Sequence, residues 1–406
     1  MEFNLTAVLN HPNLYQLLSI PVIAAIVGWT TNWLAIKLTF FPLNFIGIGK
    51  LGWQGIIPRK SAKMAAISVD RTVARFGNLQ DVFLKLEPEK ITRHIIEQTD
   101  PRLEEYIDEI MYEKHAVLWE NLPYTVREKV YAWARKQLPK RIEALVADFG
   151  EELSDLVDLK ELFVGELKNN RELMVRIFKE AGDAEFDFIV KSGAWWGVLF
   201  GLIMVPLWVN YPTNWLLPLG GFFIGFLTNW LALNVIFRPL NPRYLLGFKI
   251  QGMFLRRQSD VSKVWSRLVA EELITVEKVA RSMVFGNNAD RTRSIIQKHI
   301  RPALDQAGIL RLVTQLSFGT TGYAELKKAL QEKAIEVSTE PFHDVTFNQS
   351  RAPIVASVIE QRMSALSPRE FQDVLRPAFQ EEEWQLMLIG GVLGAVAGLL
   401  NWLIFF

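Results

Sequence analysis

The chain has no cysteine and only five histidines among its 406 residues. Without cysteine, a disulfide scaffold, a thiol nucleophile and a Cys-ligated zinc site are impossible. The histidines, His11, His94, His115, His299 and His343, are scattered. His94 and Glu97 stand at helical i, i+3 spacing, but one pair without further ligands makes no metal site. An excess of one charge is also missing: 45 Lys and Arg against 44 Asp and Glu leave a net +1. That balance argues against a basic nucleic-acid binder. No phosphate loop, dinucleotide fingerprint, Gly-x-Ser-x-Gly elbow or His-Glu-x-x-His is present. The expectation is a protein with no catalytic residues, no metal and no cofactor, and not an enzyme. Disorder is excluded too, because half the residues are apolar and 13 are Trp and 26 Phe.

The apolar residues gather in blocks, so the average composition describes no part of the chain. Tyr15 to Phe41 is 27 residues with Lys37 as its one formal charge. Trp215 to Phe237 and Trp384 to Phe406 are 23 residues each without a charge. About 20 apolar helical residues cross a bilayer, so all three predict spans. Ala194 to Asn210 is shorter and needs the preceding turn, giving a span of about 189–210. Nine Trp lie in these segments, where an indole suits the headgroup level. Pro21 and Pro206 each remove one helix hydrogen bond without forbidding a span. The first 14 residues hold no Lys or Arg, which argues against a cleaved signal peptide.

Basic side chains flank the polar ends: Lys50, Arg59, Lys60, Lys63, Arg71 and Arg75 against Asp70, then Arg238, Arg243, Lys249, Arg256, Arg257, Lys263 and Arg267 against Asp260. The 210–214 connection has no charge. The positive-inside rule then predicts cytoplasmic polar regions and both termini on the opposite side.

A shift of 197 positions aligns residues 28–44 with 225–241 at ten identities in 17, among them Thr31/Thr228, Asn32/Asn229, Trp33/Trp230 and Pro42/Pro239. Gln54-Gly55 pairs with Gln251-Gly252 and Arg59 with Arg256. Fainter echoes are Gly197-Val198-Leu199 and Gly391-Val392-Leu393. The expected unit is a tandem repeat: residues 1–210 (span 15–41, lobe about 44–188, span about 189–210) and 213–406 (span 215–237, lobe about 240–383, span 384–406). Two copies crossing an even number of times run the same way.

The polar regions read as helices. Val126, Val130, Trp133, Ala134, Leu138, Ile142, Leu145 and Val146 recur at three and four, as do Leu103, Tyr106, Ile107, Ile110 and Met111. Val264, Leu268, Val269, Leu273, Val276, Val279, Ala280 and Met283 form a third such run. Breaks are expected at Asp100-Pro101, Asn121-Leu122-Pro123, Gly286-Asn287-Asn288, Gly319-Thr320-Thr321-Gly322 and Ser367-Pro368. The fold class is all-α: four spans and two helical lobes packed on each other.

Thr31, Asn32 and Trp33 with Thr228, Asn229 and Trp230 form the candidate intramembrane motif. A buried amide in hydrocarbon needs a partner. Two readings stand: interhelical glue between the two copies, or a polar point on a solute, ion or lipid path. The Phe-x-Pro-Leu pairs end the spans. The apolar, Gly-rich stretches Phe45–Ile57 and Tyr244–Leu255 close on Arg59, Lys60, Arg256 and Arg257, which either contact anionic lipid headgroups or simply mark topology. Glu381-Glu382-Glu383 reads as a solvated cap.

The duplicated Gly-x-x-Thr-Asn-Trp-Leu-Ala with Phe-x-Pro-Leu, then Gln-Gly and Arg, resembles the bacterial membrane proteins catalogued as domain of unknown function 445, in the YheB-like branch (uncharacterised protein family 0754), with the cyanobacterial members most similar. The resemblance runs over essentially the whole chain. It implies a multi-pass protein of the plasma (inner) membrane, or of the thylakoid membrane for a cyanobacterial member, and supplies no activity. The first functional expectation is a non-enzymatic membrane-anchored scaffold with a protein partner or a second copy. The alternative is lipid or solute handling at the interface of the two repeats. The expected partners are the bilayer and its anionic headgroups, and no nucleic acid.

Overall fold

The computed structural model describes residues 14–49, 51–72, 79–245, 248–305, 308–376 and 383–406. His11, Lys50, Arg75, Glu381 and Glu382, named above, lie outside the described residues. The chain is helical almost throughout, and four helices are long and apolar enough to cross a membrane. By compactness it divides into a unit of residues 1–72, 164–265 and 362–406, and a unit of residues 73–163 and 266–361. Each unit therefore draws on both of the expected repeats: the first holds the four apolar helices with the lobe residues nearest them, the second the remainder of both lobes.

In the first unit the spans are Leu14–Phe40, the C-terminal part of Arg171–Asn210, Leu216–Phe237 and Glu383–Phe405. The second differs from the expected 189–210 segment. It is the end of one unbroken 40-residue helix, about 60 Å long at 1.5 Å per residue. Asn170 caps its start, the side chain accepting from Leu173 N at 3.0 Å. No glycine-proline break interrupts it before the span.

Leu17 and Ile20 pack with Met204, Val205, Trp208 and Leu217 at one end of the bundle. Ala35 packs with Ile56 and Leu386 at the other. The first and third spans are thus parallel and the second and fourth run against them, and both polar excursions leave and re-enter at the same end.

The closest packing is within consecutive pairs. A Cβ built on Gly28 would overlap the Gly193 carbonyl, and one on Gly197 the Ala24 carbonyl. In the other pair Gly225 meets Gly390, Gly221 meets Gly394, and Gly398 meets Leu217. Gly193, Gly197 and Gly201 recur as Gly390, Gly394 and Gly398, each 197 residues on. Small residues every fourth position let two backbones touch where hydrocarbon offers no hydrophobic drive. The Gly197/Gly391 echo noted in the sequence is therefore three residues out of register: Gly394 occupies the place of Gly197.

After each odd-numbered span comes a short antiparallel hairpin that periodicity did not suggest, Ile46–Ile48 with Leu51–Trp53 and Arg243–Leu245 with Phe248–Ile250. The three-residue strands are too short to show an alternation. Gly49, at φ 60°, turns the first. Helix Ile56–Thr72 follows one hairpin and Met253–Arg256 with Gln258–Glu272 the other. Gln258 Nε2 donates to the carbonyls of Met363, Ser364 and Leu366, tying this region to the segment that leads into the last span.

The second unit is built round Tyr124–Leu156, a 33-residue helix. It packs against Leu79–Lys85, Pro88–Thr99, Leu103–Asn121 and Ala289–Asp305. Three expected breaks separate helices, at residues 100–102, 122–123 and 286–288. Gly319 bends Gly308–Val337 at φ 68°. In the first unit, Ser367 forms a capping box with Glu370. The third apolar run is not continuous: it stops after Glu272 and restarts at Val276, because Thr275 caps the new helix by accepting from Lys278 N at 3.2 Å. Ile110, Met111, Trp119, Val130, Tyr131, Leu326 and Ala329 form a buried core. Under it Asp108 accepts from Trp119 Nε1 at 2.9 Å and from the Tyr131 hydroxyl.

Ion pairs strap Tyr124–Leu156 to Ala289–Asp305. Asp148 meets Lys298 at 2.8 Å and His299 at 2.9 Å, and Arg291 meets Glu152 at 2.8 Å and Asp155 at 3.1 Å. Hydrogen bonds from Lys298 and His299 hold the Asp148 carboxyl below its ordinary range despite partial burial.

Two predictions follow from this packing. Gly193→Leu and Gly390→Leu should each lower thermal stability in detergent by overpacking, about 1–3 kcal/mol or more; Gly165→Ala, where a Cβ meets nothing within 4 Å, should be neutral or stabilising by up to about 1 kcal/mol. Asp148 is the depressed-carboxylate case, so its stabilisation is complete above the unfolded value of about 3.9 and is lost as pH falls through the lower folded value. Asp148→Asn should therefore cost on the order of 1 kcal/mol at neutral pH and shrink the loss of melting temperature below about pH 4.

Candidate functional site

The two amides of the intramembrane motif make the same bond 197 residues apart. Asn32 Nδ2 donates to Ile189 O at 2.8 Å, and Asn229 Nδ2 to Leu386 O at 2.9 Å. Each bond joins consecutive spans, where the sequence reading put the glue between the two copies. The reason is the glycine contact one turn away: Gly193 and Gly390 bring the facing backbone within reach of a short amide. Thr31 and Thr228 donate to the carbonyls of Gly28 and Gly225 in their own helices. Trp33 and Trp230 point outward, exposed to whatever surrounds the bundle; Trp33 stacks on Trp29 and receives Lys37 at 4.8 Å.

Asn32 is fully buried and its Oδ1 has no hydrogen-bond partner. The void lined by Thr39, Ile189, Asn229 and Leu386 is about 20 Å³, room for about one water. The amides thus sit in a packed seam.

The four candidate headgroup cations divide. Arg59 and Arg256 are exposed. Arg257 turns inward, its Nη1 3.0 Å from Oε1 of Glu185 and its Nε 3.4 Å from Asp260. Glu185 is wholly buried beside Phe186, on the part of the 40-residue helix that precedes the span. An ion pair of this kind tolerates loss of neither member. Sequence reasoning missed Glu185 because a single Glu among the charged residues of a lobe carries no signal. Lys60, 197 residues before Arg257, is half-buried.

A cavity of about 390 Å³ lies in the other unit. Part of its wall is made of the faces that the periodicity marked as apolar, and further helices complete it. Tyr124–Leu156 contributes Trp133, Ala134, Leu138, Ile142 and Leu145; Leu103–Asn121 contributes Leu103, Ile107 and Ile110; Val276–Phe285 contributes Val276, Val279, Ala280 and Met283; Ala289–Asp305 and Gly308–Val337 add Ile296, Ile300, Leu330, Ala334 and Val337. Leu138, Ile142, Leu145, Val279, Ile300 and Val337 are only half-buried, although they face neighbouring helices. A close-packed interior leaves few voids larger than a water, so these side chains border space instead of partners.

Few polar groups interrupt the wall. Thr292 is fully buried, and its hydroxyl has no hydrogen-bond partner. His299, two turns on along the same helix face, is held by Asp148. Lys333 meets Glu109 at 2.7 Å and Glu336 at 3.2 Å. Mostly apolar lining, a few fixed polar groups and a volume within roughly 300–1,000 Å³ are the features of a small-molecule site. Among the described residues, no group of three or more His, Asp and Glu is placed to hold a metal.

No family model matches the chain, and no solved structure matches it. It is similar to a UPF0754 membrane protein of Anoxybacillus flavithermus, 30% identical over 83 residues, which are 20% of this chain and 22% of that protein. UPF0754 membrane protein YheB of Bacillus subtilis is 30% identical over 103 residues, covering 22% of this chain and 27% of that one. UPF0754 membrane protein SaurJH9_1899 of Staphylococcus aureus is 22% identical over 142 residues, 33% and 36% of the respective chains. The matches thus span from under a quarter to about a third of the length of these relatives. The chain is thus similar over part of its length to UPF0754 membrane proteins, and its four long apolar helices fit a membrane protein.

Proposed function

We propose that this multi-pass membrane protein takes up a lipid or another long apolar molecule in the chamber of its 73–163 and 266–361 unit. The chamber is the observation that carries the reading. Of the two sequence-based expectations, a scaffold needs only a closed core and an exposed patch, whereas an apolar cavity of about 390 Å³ costs packing energy that a ligand would restore. Both lobe segments contribute to the wall, which suits handling at the junction of two repeats and the interpretation of residues 1–210 and 213–406 as copies. The charge asymmetry of the flanks supports a cytoplasmic position for this unit.

The energetics fit. Burying ten methylenes at about 0.8 kcal/mol each supplies roughly 8 kcal/mol, the free energy of a micromolar site, before ordering costs. Fatty acyl chains meet this requirement, and the membrane that holds the spans supplies them.

The full chain in lipid nanodiscs, exposed to a fatty acid carrying a photoactivatable diazirine, should cross-link at peptides within 133–146 and 276–300. Ala134→Trp and Ala280→Trp, which fill the chamber, should reduce that labelling about tenfold, a loss of about 1.4 kcal/mol. Cross-links confined to the four spans, in wild type and variants alike, would refute the assignment.

A further inference from the structure

The two hairpins leave apolar side chains where a water-exposed loop would be polar. Ile48 is 90% exposed, Ile46 68%, and Tyr244 73%. Phe45 and Ile250 are also exposed. A two-stranded ribbon of three-residue strands is marginal in water by itself, so exposure of its apolar residues needs a reason.

The hairpins are fixed to the ends of the spans. Trp53 Nε1 donates to Leu38 O at 3.1 Å, level with the last turn of the first span. Gln54 Nε2 donates to Leu43 O at 2.8 Å and Gly55 N to Pro42 O at 2.9 Å. After the third span, Gln251 Nε2 donates to Leu240 O at 3.1 Å and Gly252 N to Pro239 O at 3.0 Å. A Cβ on Gly55 or Gly252 would stand 2.7 Å from the backbone carbon of Phe40 or Phe237, so glycine is what permits each hairpin to fold against its span. The first and third spans are parallel, so both hairpins lie at the same end of the bundle.

We infer that the hairpins are interfacial feet, with Phe45, Ile46, Ile48 and Tyr244 set into the headgroup and acyl boundary of the leaflet where the first and third spans end. The occupant is the bilayer already present at that level. Exposed Arg59, Arg243 and Arg256 add charge complementarity to anionic phosphates. Aromatic and aliphatic tips next to cations are the composition of an interface-bound segment. This assignment is independent of the chamber: it concerns the other unit and stands if the chamber is empty.

The absence of cysteine makes the test direct. Single variants Ile48→Cys and Tyr244→Cys, at exposed positions that leave packing intact, would carry a nitroxide in vesicles of phosphatidylcholine and phosphatidylglycerol. Collision with oxygen is compared with collision with a water-soluble nickel complex, using Ile26→Cys in the first span and Tyr124→Cys on the second unit as references. Labels at 48 and 244 should show an oxygen-to-nickel ratio several-fold above that at 124 and approaching that at 26. A ratio equal to that at 124 would overturn the assignment. So would protection from both reagents, which would point to a protein surface or a second copy covering the hairpins.

Discussion

The contact on which the membrane unit depends is backbone against backbone. Gly28 on Gly193 and Gly225 on Gly390 remove the side-chain layer that separates ordinary packed helices. Everything near them follows from that distance. A short amide spans the gap, so Asn32 and Asn229 reach the carbonyls of Ile189 and Leu386. Since lipid tails are as apolar as the spans, contact area and these few polar bonds must hold the pair together. Two such pairs then join through the larger side chains of Leu17, Met204, Trp208 and Leu217. The tight seams lie within pairs, and ordinary knobs of Leu, Met and Trp lie between them.

Much of this was legible from residue order. Apolar length located the spans, because a bilayer imposes a length and a composition. Helical periodicity and turn dipeptides located the helices and breaks of the lobes, since local chemistry decides both. The 197-residue offset was legible from Thr31-Asn32-Trp33 and Thr228-Asn229-Trp230. What failed was whatever depends on which surface meets which. The glue reading puts the amides between the copies because a sequence does not state helix adjacency. The Gly197 echo slipped by three because glycines recur so often in the last span that several registers match. Residues 171–188 looked like part of a lobe because charge marks exposure to water, and a helix continues through that change of solvent unless something stops it.

The chamber illustrates the same limit in the other unit. Leu138, Ile142, Leu145 and Val279 were correctly marked as facing inward, yet an inward apolar face is identical in sequence whether its neighbour fills the space or leaves it open. Near Trp119 the faces close, with Asp108 satisfying two donors beneath them. Around Ile142 they do not. Volume is a sum over several helices and has no local signature. Glu185 is a parallel case: its burial depends on Arg257, 72 residues away.

The 40-residue helix Arg171–Asn210 carries a mechanical implication. Its N-terminal portion is gripped from the side by Trp265 against Phe178, Phe254 against Phe186, and Arg257 on Glu185. Its C-terminal portion is locked to the first span by glycine contacts. A continuous helix about 60 Å long held in both places cannot tilt at one without opening the contacts at the other. Any tilt of this helix is therefore a tilt of the first span with it.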